Sequence, residues 1–365
     1  MTISHSIAAA LCVLGSLTGA AHGSNINGQA NYILFEVPAG LGTYPMAVNS
    51  SMTVTGYYFV TVNVARGFIR TEDGTIDTFG VAGAAWTRPV SINAAGDITG
   101  FYESATGAPG NEPQGFLRYA DGRIITFYPP PQAGEAPEGF PASINDFDDI
   151  VGTVYNSSST SYGFTRSREG VYSPQISFGD DTVATAINSS GSVVGYASSF
   201  FPGYATTTGF VAHPDGYHFT FTVSPPSSAG CTTAATFPQT INAEGAIAGW
   251  YETIFCPTYE RGGFVMSPEG VVSVFQLPGV IGENYIAINE VGDVTGAYTD
   301  TTGAQHGFVR NPYGTITTFD PPEGDARVGT QPTSINDAGV ITGFYGRAGE
   351  TGFLRVPSTG TSTQQ

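Results

Sequence analysis

Apolar and polar residues alternate along most of the chain in short runs, and each run ends in a cluster of Gly, Asn, Asp or Ser. A period of two sends successive side chains to opposite faces of an extended segment, and the clusters supply tight turns. The pattern therefore predicts an all-β chain of short strands joined by hairpins. One phrase, of the form Ile-Asn-x-x-Gly-x-Ile/Val-x-Gly with small variations, recurs seven times, at Asn49, Asn93, Asn145, Asn188, Asn242, Asn289 and Asn336. The steps between these asparagines are 44, 52, 43, 54, 47 and 47 residues, a period that marks a repeat architecture.

The second repeat shows the parts of one unit. Val90 to Ile92 read as a first strand, and Asn93-Ala94-Ala95-Gly96 as a turn whose Asn bonds its own backbone while Gly takes a positive φ. Asp97 to Tyr102 read as a second strand, Glu103 to Pro113 as a variable loop, and Gly115 to Tyr119 as a third strand. An Asp-Gly turn leads to a fourth, Arg123 to Tyr128.

Every unit repeats the third strand from a Gly-Phe pair: Phe68, Phe116, Phe164, Phe210, Phe264, Phe308 and Phe353 each follow a Gly. Units of four strands at this period are propeller blades, and seven is within the usual number. The seventh unit stops after its third strand. Its missing partner is legible at the other end, where "NYILFEVPAG" from Asn31 matches "TITTFDPPEG" from Thr315. The expected fold is a seven-bladed β-propeller of four-stranded antiparallel blades over residues 31–356, closed by the N-terminal strand pairing with the last blade. The Ser-Ile-Asn strands would then lie nearest the central channel.

In such a blade the Asn-x-x-Gly turns share one face with the turns between third and fourth strands. The opposite face collects the loops of variable length, and binding residues concentrate on variable loops held by a rigid scaffold. Trp86, Tyr204, Tyr259 and Tyr285 fall in these loops. A tyrosine two residues after the second-strand Gly recurs as Tyr58, Tyr102, Tyr251, Tyr298 and Tyr345, with Trp250 beside one of them. Packing between blades explains these rings; Tyr102, Trp250 and Tyr251 also suit a sugar-stacking platform.

Glu103 and Glu252 follow two of the tyrosines and are candidates for an acid and a base in glycoside cleavage, with His306 as a proton acceptor. Asp146, Asp148 and Asp149 place alternate oxygens where calcium, the one cofactor the residues admit, could bind; a solvated acidic turn is the plainer alternative. Arg70, Arg118, Arg166, Arg310 and Arg355 stand two residues after a Phe of the Gly-Phe pairs, several with an acid three residues on, which reads as a ladder of exposed turn salt bridges.

Composition narrows the functions. All twelve basic residues are arginine, so lysine Schiff bases and phosphate-loop lysines are excluded. A formal net charge of -18 with no basic stripe argues against nucleic acid. Residues 1–23 read as a secretory signal peptide, with an apolar run from Ile7 to Leu17 and small residues after it, although Lys and Arg are missing ahead of the run. That run is too short to span a membrane. Export to the periplasm or outside the cell would let Cys231 and Cys256 pair, closing a loop whose constraint is worth about 3 kcal/mol on the chain-entropy estimate. Residues 357–365 read as a disordered polar tail, and a monomer is expected.

The phrase "SINDAGVITGFY", with "GFLR" and "TITTFDPP" elsewhere, resembles the bacterial extracellular repeat family named for its His-Ala-Phe tripeptide. The resemblance runs from Ala47 to Val356 and implies propeller-type repeats without a settled activity. Gly replaces Ala throughout the tripeptide, and among the seven units His306 is the one His kept. The expected function is a secreted binding module recognising a glycan or an extracellular protein through its loop face. A polysaccharide lyase or glycoside hydrolase with a site at the channel mouth is the alternative.

Overall fold

The computed structural model describes residues 30–105, 112–129, 138–156, 160–201, 204–223, 233–254, 259–282, 285–322, 329–346 and 351–358. Residues 1–29 (the expected signal segment among them), Cys231 and Cys256, nearly all of the C-terminal tail and parts of the variable loops lie outside them. Among the described residues the chain is entirely strands and turns, with no helix long and apolar enough to cross a membrane.

The second repeat folds as Ala84–Ile92, Ile98–Ser104, Gln114–Arg118 and Ile124–Phe127, each antiparallel to the next. Its first strand begins six residues earlier than the sequence suggests, which moves Trp86 from a loop into the sheet. At the N-terminal end Asn31–Phe35 pairs antiparallel with Thr351–Val356, so the last unit borrows its outer strand from the start of the chain. This removes a sheet edge that would otherwise stand open.

Hydrogen bonding divides the strands into five sheets rather than seven separate ones. Single parallel bridges, Ala65 to Trp86 and Ser161 to Asp181, join neighbouring units into longer sheets. The third unit has only isolated bridges at Tyr172 and Ile176 in place of a fourth strand, because Pro174 interrupts the ladder between them. In the sixth unit the first strand is split into Gly279–Ile281 and Ala287–Ile288, with Tyr285 between them at φ 59°.

The repeated glycines and phenylalanines build the core. In six units the first strand carries a bulge or break next to Pro or a small residue, and there its carbonyl turns over the second-strand Gly. A Cβ on Gly100 would sit 2.2 Å from the Arg88 carbonyl oxygen, so no larger residue fits. A Cβ on Gly115 of the Gly-Phe pair would fall 2.2 Å from the Phe127 ring of the outer strand. That contact explains why this position of the Gly-Phe pair is Gly. The seven phenylalanines are at most 3% exposed and fill the space between units, as Phe116 does edge-on to Phe79.

The expected arginine salt bridges are replaced by another contact. Arg70, Arg118, Arg166, Arg310 and Arg355 each lie over a phenylalanine of the preceding outer strand, at 5.1, 5.0, 4.8, 5.3 and 4.9 Å from the ring centre. Four of them also donate Nη1 to the next residue's carbonyl. The strand period puts the guanidinium over the ring while the acid stays on the exposed turn, so burial favours the π face.

The repeated asparagines form a closed cycle. Each buried side-chain amide donates Nδ2 to the backbone carbonyl of the next asparagine: Asn49 to Asn93, Asn93 to Asn145, Asn145 to Asn188, Asn188 to Asn242, Asn242 to Asn289, Asn289 to Asn336 and Asn336 to Asn49, at 2.9–3.2 Å. Each Oδ1 accepts turn N–H groups of its own unit, as from Ser51 and Thr53 at Asn49. Sequence shows the turn; the second bond, from unit to unit, is visible only in three dimensions. The arrangement is propeller-like, with first strands innermost.

Candidate ligand-binding site

First-strand residues of all seven units line a central cavity of about 640 Å³, with small side chains such as Ala47, Ser91, Ala142, Thr185 and Ser334 predominating. The asparagine cycle narrows one end, beside a second cavity of about 200 Å³ that it lines. The other end opens towards the variable-loop face and is aromatic. Its rim is set, in six units, five residues before the repeated Asn, where Tyr44, Arg88, Phe140, Val183, Phe237 and Gln331 stand, paired across the ladder with Tyr57, Phe101, Thr153, Tyr196, Trp250 and Phe344.

The rings of this rim touch one another. Tyr44 stacks on Tyr57 at 4.8 Å, Phe344 meets Tyr44 edge-on at 5.2 Å, and Phe101 meets Phe140 edge-on at 5.2 Å. Tyr285 reaches Phe344 from the broken first strand, and its burial raises its hydroxyl pKa to about 12. The Arg88 guanidinium is 4.0 Å from the Trp86 ring centre, 5.0 Å from Tyr57, 5.9 Å from Phe59 and 6.0 Å from Phe101. Trp86 is oriented by its own bond, Nε1 to the Asn63 carbonyl at 2.9 Å. Glu103 lies opposite Trp86 in register, so Glu103, Trp86, Arg88 and Phe101 share one sheet face.

The fifth unit holds a second cluster. Trp250 stacks on Phe237 at 3.8 Å, and the Arg261 guanidinium lies 4.8 Å over the Trp250 ring. Arg261 Nη2 reaches Glu252 Oε2 at 2.6 Å, and Tyr259 donates its hydroxyl to the same oxygen at 2.9 Å. A cavity of about 500 Å³ runs beside them, lined also by Tyr196 and Gln239.

Of the residues proposed from sequence, the structure thus joins Trp86 with Glu103, and Trp250 with Glu252 and Tyr259. Tyr204 opens the Tyr204–Ala212 strand opposite Phe201. Tyr251 does not belong to the rim: it is fully buried between units, hydrogen-bonded to Glu260 and Gln276, and burial followed by the nearby Glu260 charge raises its pKa to about 12. Tyr102 packs likewise against the core around Phe116 and donates to Gln114. The period of two turns the residue just before each the other way: Phe101 meets Arg88 and Phe140, and Trp250, itself buried, stacks on Phe237 against the core of the sixth unit.

His306 is held away from both clusters. Its Nδ1 is 2.7 Å from Asp320 and its Nε2 3.3 Å from Asp300, so both ring nitrogens are engaged. Burial works against its charge, but the hydrogen bonds and charges of Asp320 and Asp300 outweigh it and raise its pKa above 6.5. Among the described residues no contact joins Glu103, Glu252 and His306, which stand in three different units.

The three carboxylates weighed as calcium ligands also part. Asp146 accepts from the Ala94 backbone, Asp148 from the Asn93 amide, and Asp149 from the Asn145 amide. Asp148 is buried at φ 65°, the position that Gly holds in five other repeats and Met52 in the first, and burial followed by Asp97 raises its pKa. Among the described residues, no three His, Cys, Asp or Glu side chains form a metal-binding group.

No family model and no curated protein matches this sequence. Solved structures of similar fold exist. A virginiamycin B lyase from Staphylococcus aureus superposes with a TM-score of 0.55 at 14% identity, covering 89% of this chain and all of the lyase. An acylaminoacyl peptidase from Pyrococcus horikoshii gives 0.57 at 8% identity, covering 87% of this chain and about half, 52%, of the peptidase. At these identities the likeness is one of fold.

Proposed function

We propose that the chain is an exported, closed seven-bladed propeller of the His-Ala-Phe repeat type that binds a glycan at the aromatic mouth of its channel, on the variable-loop face. The unbroken cycle of seven asparagine hydrogen bonds, with the borrowed outer strand, supports the closed ring. The aromatic rim carries the functional reading. It gathers Tyr44, Tyr57, Trp86, Phe101, Tyr285 and Phe344, of which Tyr285 also lines the central cavity of about 640 Å³. Sugar rings present apolar C–H faces and polar edges, and partly exposed aromatic rings with tyrosine hydroxyls nearby match both.

The enzymatic alternative requires an acid and a base on either side of one bond, at roughly 5 to 10 Å. Glu252 and His306 are instead each engaged with partners of their own, in separate units. Binding is therefore the better supported activity. The test is a glycan array probed with the chain lacking residues 1–23. Binding that Phe101→Ala and Tyr57→Ala each weaken supports the proposal; binding indifferent to both, or none to any glycan, overturns it.

A further inference from the structure

The two clusters on the loop face have related parts but differ in one group. In the fifth unit a guanidinium lies over a tryptophan and a protein carboxylate lies on the guanidinium, Arg261 to Glu252 at 2.6 Å. In the second unit the guanidinium over the tryptophan is Arg88, and no ion pair of the described residues includes it. Its Nε is buried without a hydrogen-bond partner, and no described hydrogen bond uses its other nitrogens. The side chain as a whole is half-buried, so its outer edge is within reach of a ligand.

A guanidinium cation packed among four rings has lost water that the π faces only partly replace. Its planar fork is matched by a group offering two coplanar oxygens. Glu252 shows what that group looks like when the protein supplies it. Glu103, on the same sheet face, does not take the part for Arg88.

We infer that Arg88 receives a carboxylate from the ligand, so that the mouth binds acidic glycans containing uronic acid residues, with an adjoining sugar face against Trp86 or Tyr57. This rests on the glycan reading above and adds the charge of the ligand. The net charge of -18 opposes such a ligand at long range, but at physiological salt that repulsion is screened beyond roughly 8 Å. At the mouth the contact with Arg88 decides.

Calorimetric titration with oligosaccharides of pectin, alginate and glucuronoxylan, each beside its carboxyl-reduced neutral twin, tests this on the unaltered protein. At least one acidic member is expected to bind ten times more tightly than its twin or better. Arg88→Gln is expected to abolish that preference, and Arg88→Lys, which keeps the charge and loses the fork, to retain part of it. Equal binding of the twins, or a preference that survives Arg88→Gln, overturns the carboxylate assignment and leaves the glycan site standing. If no member of either series binds, both fall. The comparison of twins needs no variant, so a failure of Arg88→Gln to fold would not blunt it.

Discussion

Asn336 donates its side-chain amide to the carbonyl of Asn49 at 2.9 Å, across 287 positions of sequence. This bond joins the last repeat to the first, and with the pairing of Asn31–Phe35 against Thr351–Val356 it ties the two ends of the domain together.

Removing that amide tests the closure. In Asn336→Ala the buried Val340 N–H loses its partner, the exposed Ala338 N–H turns to water, and the Asn49 carbonyl keeps only the bond from Met52 N–H. An unsatisfied buried group costs roughly 1–3 kcal/mol, so a loss of stability in that range is expected. Urea unfolding measures it; a loss below about 0.5 kcal/mol would mean that the cycle contributes little to closure.

The arginines over phenylalanine should behave as packing groups. Arg118 lies 5.0 Å from the Phe79 ring and donates to the Tyr119 carbonyl. Replacing it with Gln should cost about 1–2 kcal/mol. Unfolding midpoints of wild type and variant should shift alike between 0.05 and 0.5 M NaCl (roughly one Debye length against a third of it). A gap that closes at high salt would restore the surface salt bridge.

Gly115 and Phe127 should be coupled. A methyl at Gly115 meets the ring at 2.2 Å, and overpacking of this kind costs about 1–3 kcal/mol. Paired with Phe127→Leu, which withdraws the ring, Gly115→Ala should cost much less than alone. A double-mutant cycle reads the difference, and additive effects would count against the explanation given for Gly in the Gly-Phe pair.

His306 should make stability depend on pH. Its pKa is raised in the folded state by Asp320 and Asp300, against the effect of burial. The contribution is therefore fully present below the unfolded pKa near 6.5 and is lost as pH rises through the higher folded value. Melting temperatures of wild type and His306→Gln should differ most near pH 5 and converge towards pH 9. A gap constant across that range would show that the ring is held by packing alone.

Much of the scaffold is legible in the sequence because its causes are local. The Asn-x-x-Gly turns, the Gly-Phe strands and the N-terminal strand that answers a missing outer strand are all visible as spacing. The rim is less so. The recurrent tyrosines draw attention to Tyr102 and Tyr251, yet it is Phe101, the residue before Tyr102, that meets the Arg88 guanidinium, and a strand of uncertain phase does not say which is which. Arg88 and Tyr57 escape notice for the same reason: neither recurs from unit to unit, and their meeting depends on how the first two units pack. Trp86 reads as a loop residue since its strand starts before the Ser-Ile-Asn phrase.

The chain's two tryptophans, Trp86 and Trp250, both lie in the aromatic clusters of the loop face, so intrinsic emission reports on the site. The most direct measurement uses the Trp250→Phe variant, in which Trp86 is the remaining tryptophan and is excited selectively over the tyrosines, titrated with the tightest glycan from the array. A saturable change in Trp86 emission, with the affinity found by calorimetry, is the expected result. Calorimetric binding that leaves Trp86 emission unchanged would place the ligand elsewhere and contradict a glycan site at the channel mouth.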